Sequence, residues 1–240
     1  LDLNFSQTTS LDGGFTNITN LMSEGDVSLN GSITTSGDQT YKAAASLAGY
    51  AILQGQSLLF SNGVDGVSHS LGLDFSKSTV LNGTFENIND LTSGGDVAIN
   101  GTIQTTGLQT YNANVSLAGN TKLEGSVLSV ARGVNGGGKN LDLNFSSTTS
   151  LSGGFSNIDN LASEGDVTVD GTIQTLGSQT YNASVSLTGT VNLQGTSGNF
   201  GGAVNGNSND LTLNFSAPTT IDGGSVFSGL ANLTLTGESN

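Results

Sequence analysis

From Tyr181 onward the chain alternates between apolar and polar positions. Tyr181, Ala183, Val185 and Leu187 are apolar, and Asn182, Ser184, Ser186 and Thr188 between and after them are polar. A period of two puts one face of an extended strand inside and the other in water. The same parity continues through Val191 and Leu193, and it runs from Val167 through Val169 to Ile173. No stretch carries apolar residues at the i, i+3, i+4 spacing of an amphipathic helix, and strong helix formers are sparse. Turn chemistry separates the strands at Glu164-Gly165-Asp166, Asn62-Gly63, Asn135-Gly136 and Asn205-Gly206. The pattern predicts an all-β protein.

The strands themselves repeat. Leu1, Leu71, Leu141 and Leu211 open four copies of a 70-residue unit, and Phe5, Phe75, Phe145 and Phe215 follow each by four positions. Gly25-Asp26-Val27 returns at Gly95-Asp96-Val97 and Gly165-Asp166-Val167, and Gln39-Thr40-Tyr41 returns at Gln109-Thr110-Tyr111 and Gln179-Thr180-Tyr181. The units are 1–70, 71–140 and 141–210, with a partial fourth at 211–240. Inside a unit, two apolar residues one apart, followed by Gly or Phe, recur as a smaller motif. In the third unit it starts at Leu141, Val167 and Val191, and it starts again at Leu211. Successive starts are spaced by 26, 24 and 20. That is the size of one coil of a β-solenoid, so the expectation is about three coils per unit and one continuous solenoid.

Two architectures fit such a repeat. One is a parallel β-helix, with coils stacked about 4.8 Å apart around a shared core. The other is a string of 70-residue β-sandwiches, but no core Trp and no Cys pair is present. A three-part sub-repeat has no reason to exist in a Greek key, and short outward polar residues suit stacked coils. The right-handed parallel β-helix is the expected fold. Ten coil starts between Leu1 and Leu211 would give a rod of about 50 Å. Neither end carries a recognisable cap, which reads as the middle of a filament.

Composition narrows the function classes. Among 240 residues there are 36 Gly, one Pro, no Trp and no Cys. The lack of Cys excludes a disulfide framework and thiolate metal sites. A formal net charge of −14, with five Lys and Arg in all, argues against nucleic acid and against docking on anionic lipid. No apolar run approaches the length of a membrane-spanning helix, so a soluble chain without membrane insertion is expected. No signal peptide is visible and the first residue is Leu1, which reads as a piece of a longer chain.

The phrase Thr-Tyr-Asn-Ala at 110–113 and 180–183, and Phe200-Gly201-Gly202-Ala203-Val204-Asn205-Gly206, resemble repeats of large bacterial surface adhesins. These are the filamentous-haemagglutinin-like, β-strand-repeat exoproteins, many exported by two-partner secretion. The resemblance spans essentially the whole chain in style and phrase. It implies a right-handed parallel β-helix, an extracellular location on a bacterial cell surface, and a role in adhesion or biofilm matrix.

Candidate chemistry is thin. His69 is the only histidine, and its counterparts one and two units on are Lys139 and Asn209. Arg132 is solitary, with Asn62 and Gly202 at matching positions. His69 reads as a solvated turn residue, and the five Lys and Arg residues occupy five different places in the repeat, which argues against a repeated site for anionic sugars. Asp26, Asp96 and Asp166 recur after Gly and before Val, with Glu24 and Glu164 nearby but Gly94 in the second copy. They are the candidates for weak calcium binding, set against a turn residue that hydrogen-bonds the backbone ahead of the next strand. Tyr41, Tyr111 and Tyr181 share the parity of the core residues and are assigned to packing, about 14 Å apart if three coils separate them. About ten Asn-x-Ser/Thr sequons, Asn30, Asn100, Asn114 and Asn182 among them, are close to what chance gives at this composition.

The expected function is therefore architectural rather than enzymatic, with no catalytic residue and no cofactor beyond weak calcium. The chain would be a stalk or filament segment of an extracellular adhesin or biofilm-matrix protein. Its partners would be neighbouring repeats, copies of itself side by side, and a host-cell or matrix ligand held elsewhere in the full protein. A self-assembling sheath or surface layer is the alternative. A polysaccharide-active β-helix enzyme would need a cluster of carboxylates and a base on adjacent coils.

Overall fold

The computed structural model describes residues 1–237 apart from Thr148, Gly223 and Ser225. Its described residues form strands and turns without a helix, and they divide into two compact units, Leu1–Ser116 and Leu117–Asn240. Every strand pairing inside each unit is parallel, which rules out the string of antiparallel sandwiches. The chain is a β-solenoid.

In the first unit, Asp2, Met22, Thr40, Leu59, Val80 and Ala98 are successive rungs of one ladder. Phe15, Ile33, Leu53, Leu73, Ser93 and Tyr111 form a second. In the second unit, Val134, Phe155, Ile173, Leu193, Leu213 and Leu235 make one ladder. Ser129, Ser150, Thr168, Ser186, Asn205 and Ser228 make another. Each coil has three sides, and each unit stacks six rungs.

The register refines the expected three coils per repeat. Three coils carry the chain from Asp2 to Leu59, and two further sides bring it to Gly72, the repeat equivalent of Asp2. Gly72 consequently sits on the Ser32–Ile52–Gly72–Thr92–Thr110 ladder, a different side of the coil. Tyr41 and Tyr111 part for the same reason. Tyr41 shares a ladder with Ser23 and Phe60, Tyr111 with Ser93 and Leu73, so the expected column of tyrosines three coils apart does not form. Asp142 and Thr212 separate likewise in the second unit, the first on a ladder with Ala162 and Thr180, the second with Asn192 and Thr172. A repeat is three coils and two-thirds.

Corners follow from local chemistry. The nine-residue strands Val27–Thr35, Val97–Thr105 and Val167–Thr175 turn at Gly31, Gly101 and Gly171, whose φ values are +81°, +125° and +89°. A Cβ on Gly31 would lie 2.7 Å from the Gly13 carbonyl oxygen of the preceding coil, so glycine is needed for conformation and for space. Asn17, Asn87 and Asn157 take the left-handed conformation at another corner, with φ of 61°, 53° and 53°, where asparagine is the best tolerated non-glycine residue.

The core is built from the inward parity. Leu29, Ile33, Leu53 and Phe60 in the first unit, and Leu143, Val169, Leu187 and Leu193 in the second, are fully buried. Burying such a side chain stabilises the fold by about 1.5–3 kcal/mol. Tyr41 stacks on Phe60 at 4.8 Å between centroids, and Tyr181 on Phe200 at 5.4 Å. These aromatic steps follow the ladder register, Tyr41 opposite Phe60 and Tyr181 opposite Phe200.

Candidate functional site

The recurrent aspartates hold coils together. Asp26 accepts the Thr9 amide through its carbonyl and the Ala44 amide through Oδ1, so one residue joins the coil before it to the coil after it. Asp96 does the same between Thr79 and Asn114, and Asp166 between Thr149 and Ser184. The expected turn role is present, but each carboxylate reaches a residue 18 positions on rather than its own turn. The weak-calcium candidates also do not converge. Asp26 precedes the ladder of Thr9, Val27 and Ala45, whereas Asp96 precedes that of Thr79 and Val97, so in the first unit they occupy different corners. Among the described residues no three His, Cys, Asp or Glu side chains gather as a metal site.

Glu24 and Glu164 are committed similarly, to Lys42 Nζ at 2.6 Å and to Asn182 Nδ2 at 2.9 Å. The side-chain amides of the sequon residues Asn30, Asn100 and Asn114 donate to Asp12, Asn82 and Asp96, all one coil earlier. His69 is half-buried just after a turn, donating its amide to Gly66 and accepting that of Asn89 through its carbonyl. Arg132 is exposed. The structure gathers none of these into a reactive group.

Acidic residues do meet on one outward face of the second unit. Asp142 and Asn144 lie on the strand pairing with Leu161–Ser163, and Glu164 follows directly. Lys122 binds Glu124 at 2.7 Å, and Asn144 Nδ2 donates to Glu124 Oε1 at 3.2 Å. Lys122 is held above the usual lysine range by its hydrogen bond and attraction to Glu124. The same hydrogen bond holds the Glu124 carboxyl below the usual range. Burial pushes Asp142 up, Lys122 opposes that, and Glu164 and Glu124 add to it. A catalytic lysine base needs a lowered pKa. Lys122 is shifted the other way, so this lysine is a fixed cation paired with Glu124.

A buried polar seam escaped the sequence reading. Gln39 Nε2 donates to the carbonyls of Ile33 at 3.0 Å and Gln54 at 2.9 Å, and Tyr41 donates its phenol to Gln39 Oε1 at 2.9 Å. Gln179 repeats the arrangement with Ile173, Gln194 and Tyr181, and Gln109 binds Ile103 and Tyr111. Burial pushes all three phenols far above the ordinary tyrosine range. The signal was the repeated Gln-Thr-Tyr phrase, which sets Gln two positions before Tyr on the inward parity. The seam is a satisfied structural network.

Compared with protein-family models, with curated proteins and with solved structures, the chain matches none.

One corner departs from the repeat. In the second unit Asn120, Asn140, Asn160 and Ser178 form a polar staircase. Asn140 N donates to Asn120 Oδ1 at 3.1 Å, Asn160 N to Asn140 Oδ1 at 3.2 Å, and Ser178 N to Asn160 Oδ1 at 2.8 Å. The repeat equivalents in the first unit are Tyr50, Ser70, Asp90 and Leu108. Ser70 and Asp90 keep the staircase, since Asp90 N donates to Ser70 Oγ at 3.3 Å and Leu108 N to Asp90 Oδ1 at 2.8 Å. Tyr50 and Leu108 instead put large apolar side chains into solvent.

Proposed function

We propose that the chain is a structural segment of an extracellular bacterial adhesin or biofilm-matrix protein, a spacer that holds a binding region away from the cell surface. One observation carries this reading. The recurrent acidic and amide side chains of both units are spent on hydrogen bonds between coils, and the ladders of each unit close over a packed apolar core. Such chemistry resists deformation. The resemblance to β-strand-repeat adhesins agrees with it, and so does the −14 charge, which keeps neighbouring chains apart beyond a Debye length of about 8 Å.

Sedimentation of the purified chain at rising concentration, with and without calcium, tests the reading. A monomer throughout supports the spacer. Side-by-side association strengthened by calcium would replace it with the sheath or surface layer. Antibody labelling of intact producing cells tests the location, and signal confined to lysed cells would overturn it.

A further inference from the structure

Three departures from the repeat meet at the broken corner of the first unit. Tyr50 stands where the other copies have Asn120 and Thr190, Leu108 where they have Asp38 and Ser178, and Gly72 where they have Asp2, Asp142 and Thr212. Tyr50 and Leu108 are 55% and 48% exposed, although most large apolar side chains on the ladders are buried. Between them a cavity of about 360 Å³ is lined by Ser70, Gly72, Asp90 and Thr92. That volume lies within the range of small-ligand sites.

Gly72 opens the floor, because it faces outward between Ile52 and Thr92 on its ladder and contributes no side chain. Tyr50 Oη reaches to 3.4 Å from where a Cβ on Gly72 would sit, so the phenol overhangs the gap. Asp90 is half-buried and held in place, its Oδ1 accepting the Leu108 amide and its Oδ2 the Asn89 side-chain amide at 3.1 Å. A carboxylate with two oxygens has lone pairs left for donors from outside. The site therefore presents an aromatic face and an aliphatic wall, with a fixed acceptor and the exposed Thr92 hydroxyl between them.

We infer that this corner binds a short neutral oligosaccharide, with Tyr50 stacking on a sugar ring, Leu108 covering a second C–H face, and Asp90 accepting sugar hydroxyls. The chemistry excludes other classes. No Lys, Arg or His lines the cavity, and the chain carries −14, so anionic glycans, phosphates and nucleic acid are repelled. A purely apolar ligand would strip water from the remaining lone pairs of Asp90 and offer no donor in return, which is costly. Tyr50 and Leu108 lie on rungs three coils apart, about 14 Å, a span that suits several linked sugars better than one. The inference goes beyond the spacer reading, which places the ligand elsewhere, and stands or falls separately from it.

Tyr50 is also the reporter. The chain has four tyrosines and no Trp, and Tyr41, Tyr111 and Tyr181 are buried, so surface-dependent tyrosine emission comes from Tyr50. Cellotriose, maltotriose and N,N′-diacetylchitobiose are titrated into the intact chain into the millimolar range, with tri-galacturonate as the anionic control. Tyrosine emission and saturation-transfer NMR are the readouts. Saturable binding of at least one neutral sugar is expected, weakened tenfold or more by Tyr50→Ala. Gly72→Asp should weaken it as much; it restores the residue found at Asp142 and so keeps the fold, which far-UV circular dichroism checks. Three results overturn the inference: no saturable response to any neutral sugar, unchanged binding by Gly72→Asp, or preferential binding of tri-galacturonate. Self-association of the chain that Tyr50→Ala abolishes would overturn it too, and would assign the corner to a second copy.

Discussion

Alkali should unfold this protein through three side chains. Tyr41, Tyr111 and Tyr181 are essentially inaccessible and each donates its phenol to the Oε1 of Gln39, Gln109 or Gln179. Ionising any of them in place would bury a charge beside an oxygen that can only accept, so the folded pKa is raised well above the ordinary value. In the unfolded chain a phenol titrates near 10. The stability these groups lend is therefore complete below that pH and declines as pH rises beyond it, because the unfolded state sheds protons the folded state retains. At about pH 11 the loss is about 1.4 kcal/mol for each phenol and about 4 kcal/mol for three, a large part of an ordinary domain's stability. Absorbance at 295 nm and far-UV circular dichroism, followed together from neutral to strongly alkaline pH, give the test. Phenolate should appear in step with the loss of strand signal, apart from at most a quarter of the amplitude, the share of the fourth tyrosine. Tyr181→Phe should lower stability at neutral pH by about 1–3 kcal/mol, since Gln179 Oε1 loses its donor, and should flatten the alkaline slope by one proton. Full ionisation of all four tyrosines while the strands persist would refute the argument.

Other consequences are simpler to measure. Val67 is a β-branched residue at φ +47°, where the other copies place Gly137 and Asn207 at +54° and +47°. Val67→Asn should raise stability by about 1 kcal/mol in urea titrations; a decrease would mean the valine makes a contact worth more than its strain. Gly31→Ala should cost about 2–3 kcal/mol, from strain at φ +81° and the clash with Gly13. Gly14→Ala, with open space around its Cβ, should change stability by less than about 0.5 kcal/mol. Asp26→Asn preserves an acceptor for the Ala44 amide and should be nearly neutral, while Asp26→Ala loses about 1 kcal/mol. Millimolar calcium should leave the urea midpoint of the wild type unchanged; stabilisation that Asp26→Asn removes would instead support calcium binding at the recurrent aspartates.

Alternation alone was enough to place Tyr41, Tyr111 and Tyr181 inside and to identify strands, because a period of two is a direct record of which face meets water. The coil count was harder to read. Of the spacings 26, 24 and 20, only the last, Val191 to Leu211, is one coil. Leu141 pairs with Leu161 and Val167 with Val185, which are shorter steps than the first two spacings. The intervening sides hid because one of the two inward positions on each is polar: Thr149, Ser163 and Gln179 are buried beside Leu151, Leu161 and Tyr181 but do not look like core. A search for apolar pairs skips such sides and lengthens the apparent coil. The aspartates show the same limit. Their turn role was legible from Gly-Asp-Val, but a hydrogen bond to the following coil depends on the register. The Tyr50 corner needed both kinds of knowledge, the repeat to mark Tyr50, Gly72 and Leu108 as unusual and the ladder to bring them together.

A repeat much longer than a coil explains how a monotonous sequence can carry a particular site. If one repeat closed a whole number of coils, every equivalent residue in the first unit would stack on one side. Asp26 and Asp96 would then share a corner. With three coils and two-thirds, equivalent residues turn to different sides, as Asp2 and Gly72 do. Because a coil is much shorter than a repeat, any one corner is also a meeting place for non-equivalent repeat positions. Tyr50, Gly72 and Leu108 come from positions 50, 2 and 38 of the unit, so three substitutions in two copies build the groove. Among their counterparts, Asn120 and Ser178 serve the staircase and Asp142 the acidic face of the second unit. Local change on a repeating scaffold then produces one site and not a row of them, which suits a chain whose remaining surface is given to holding its coils together.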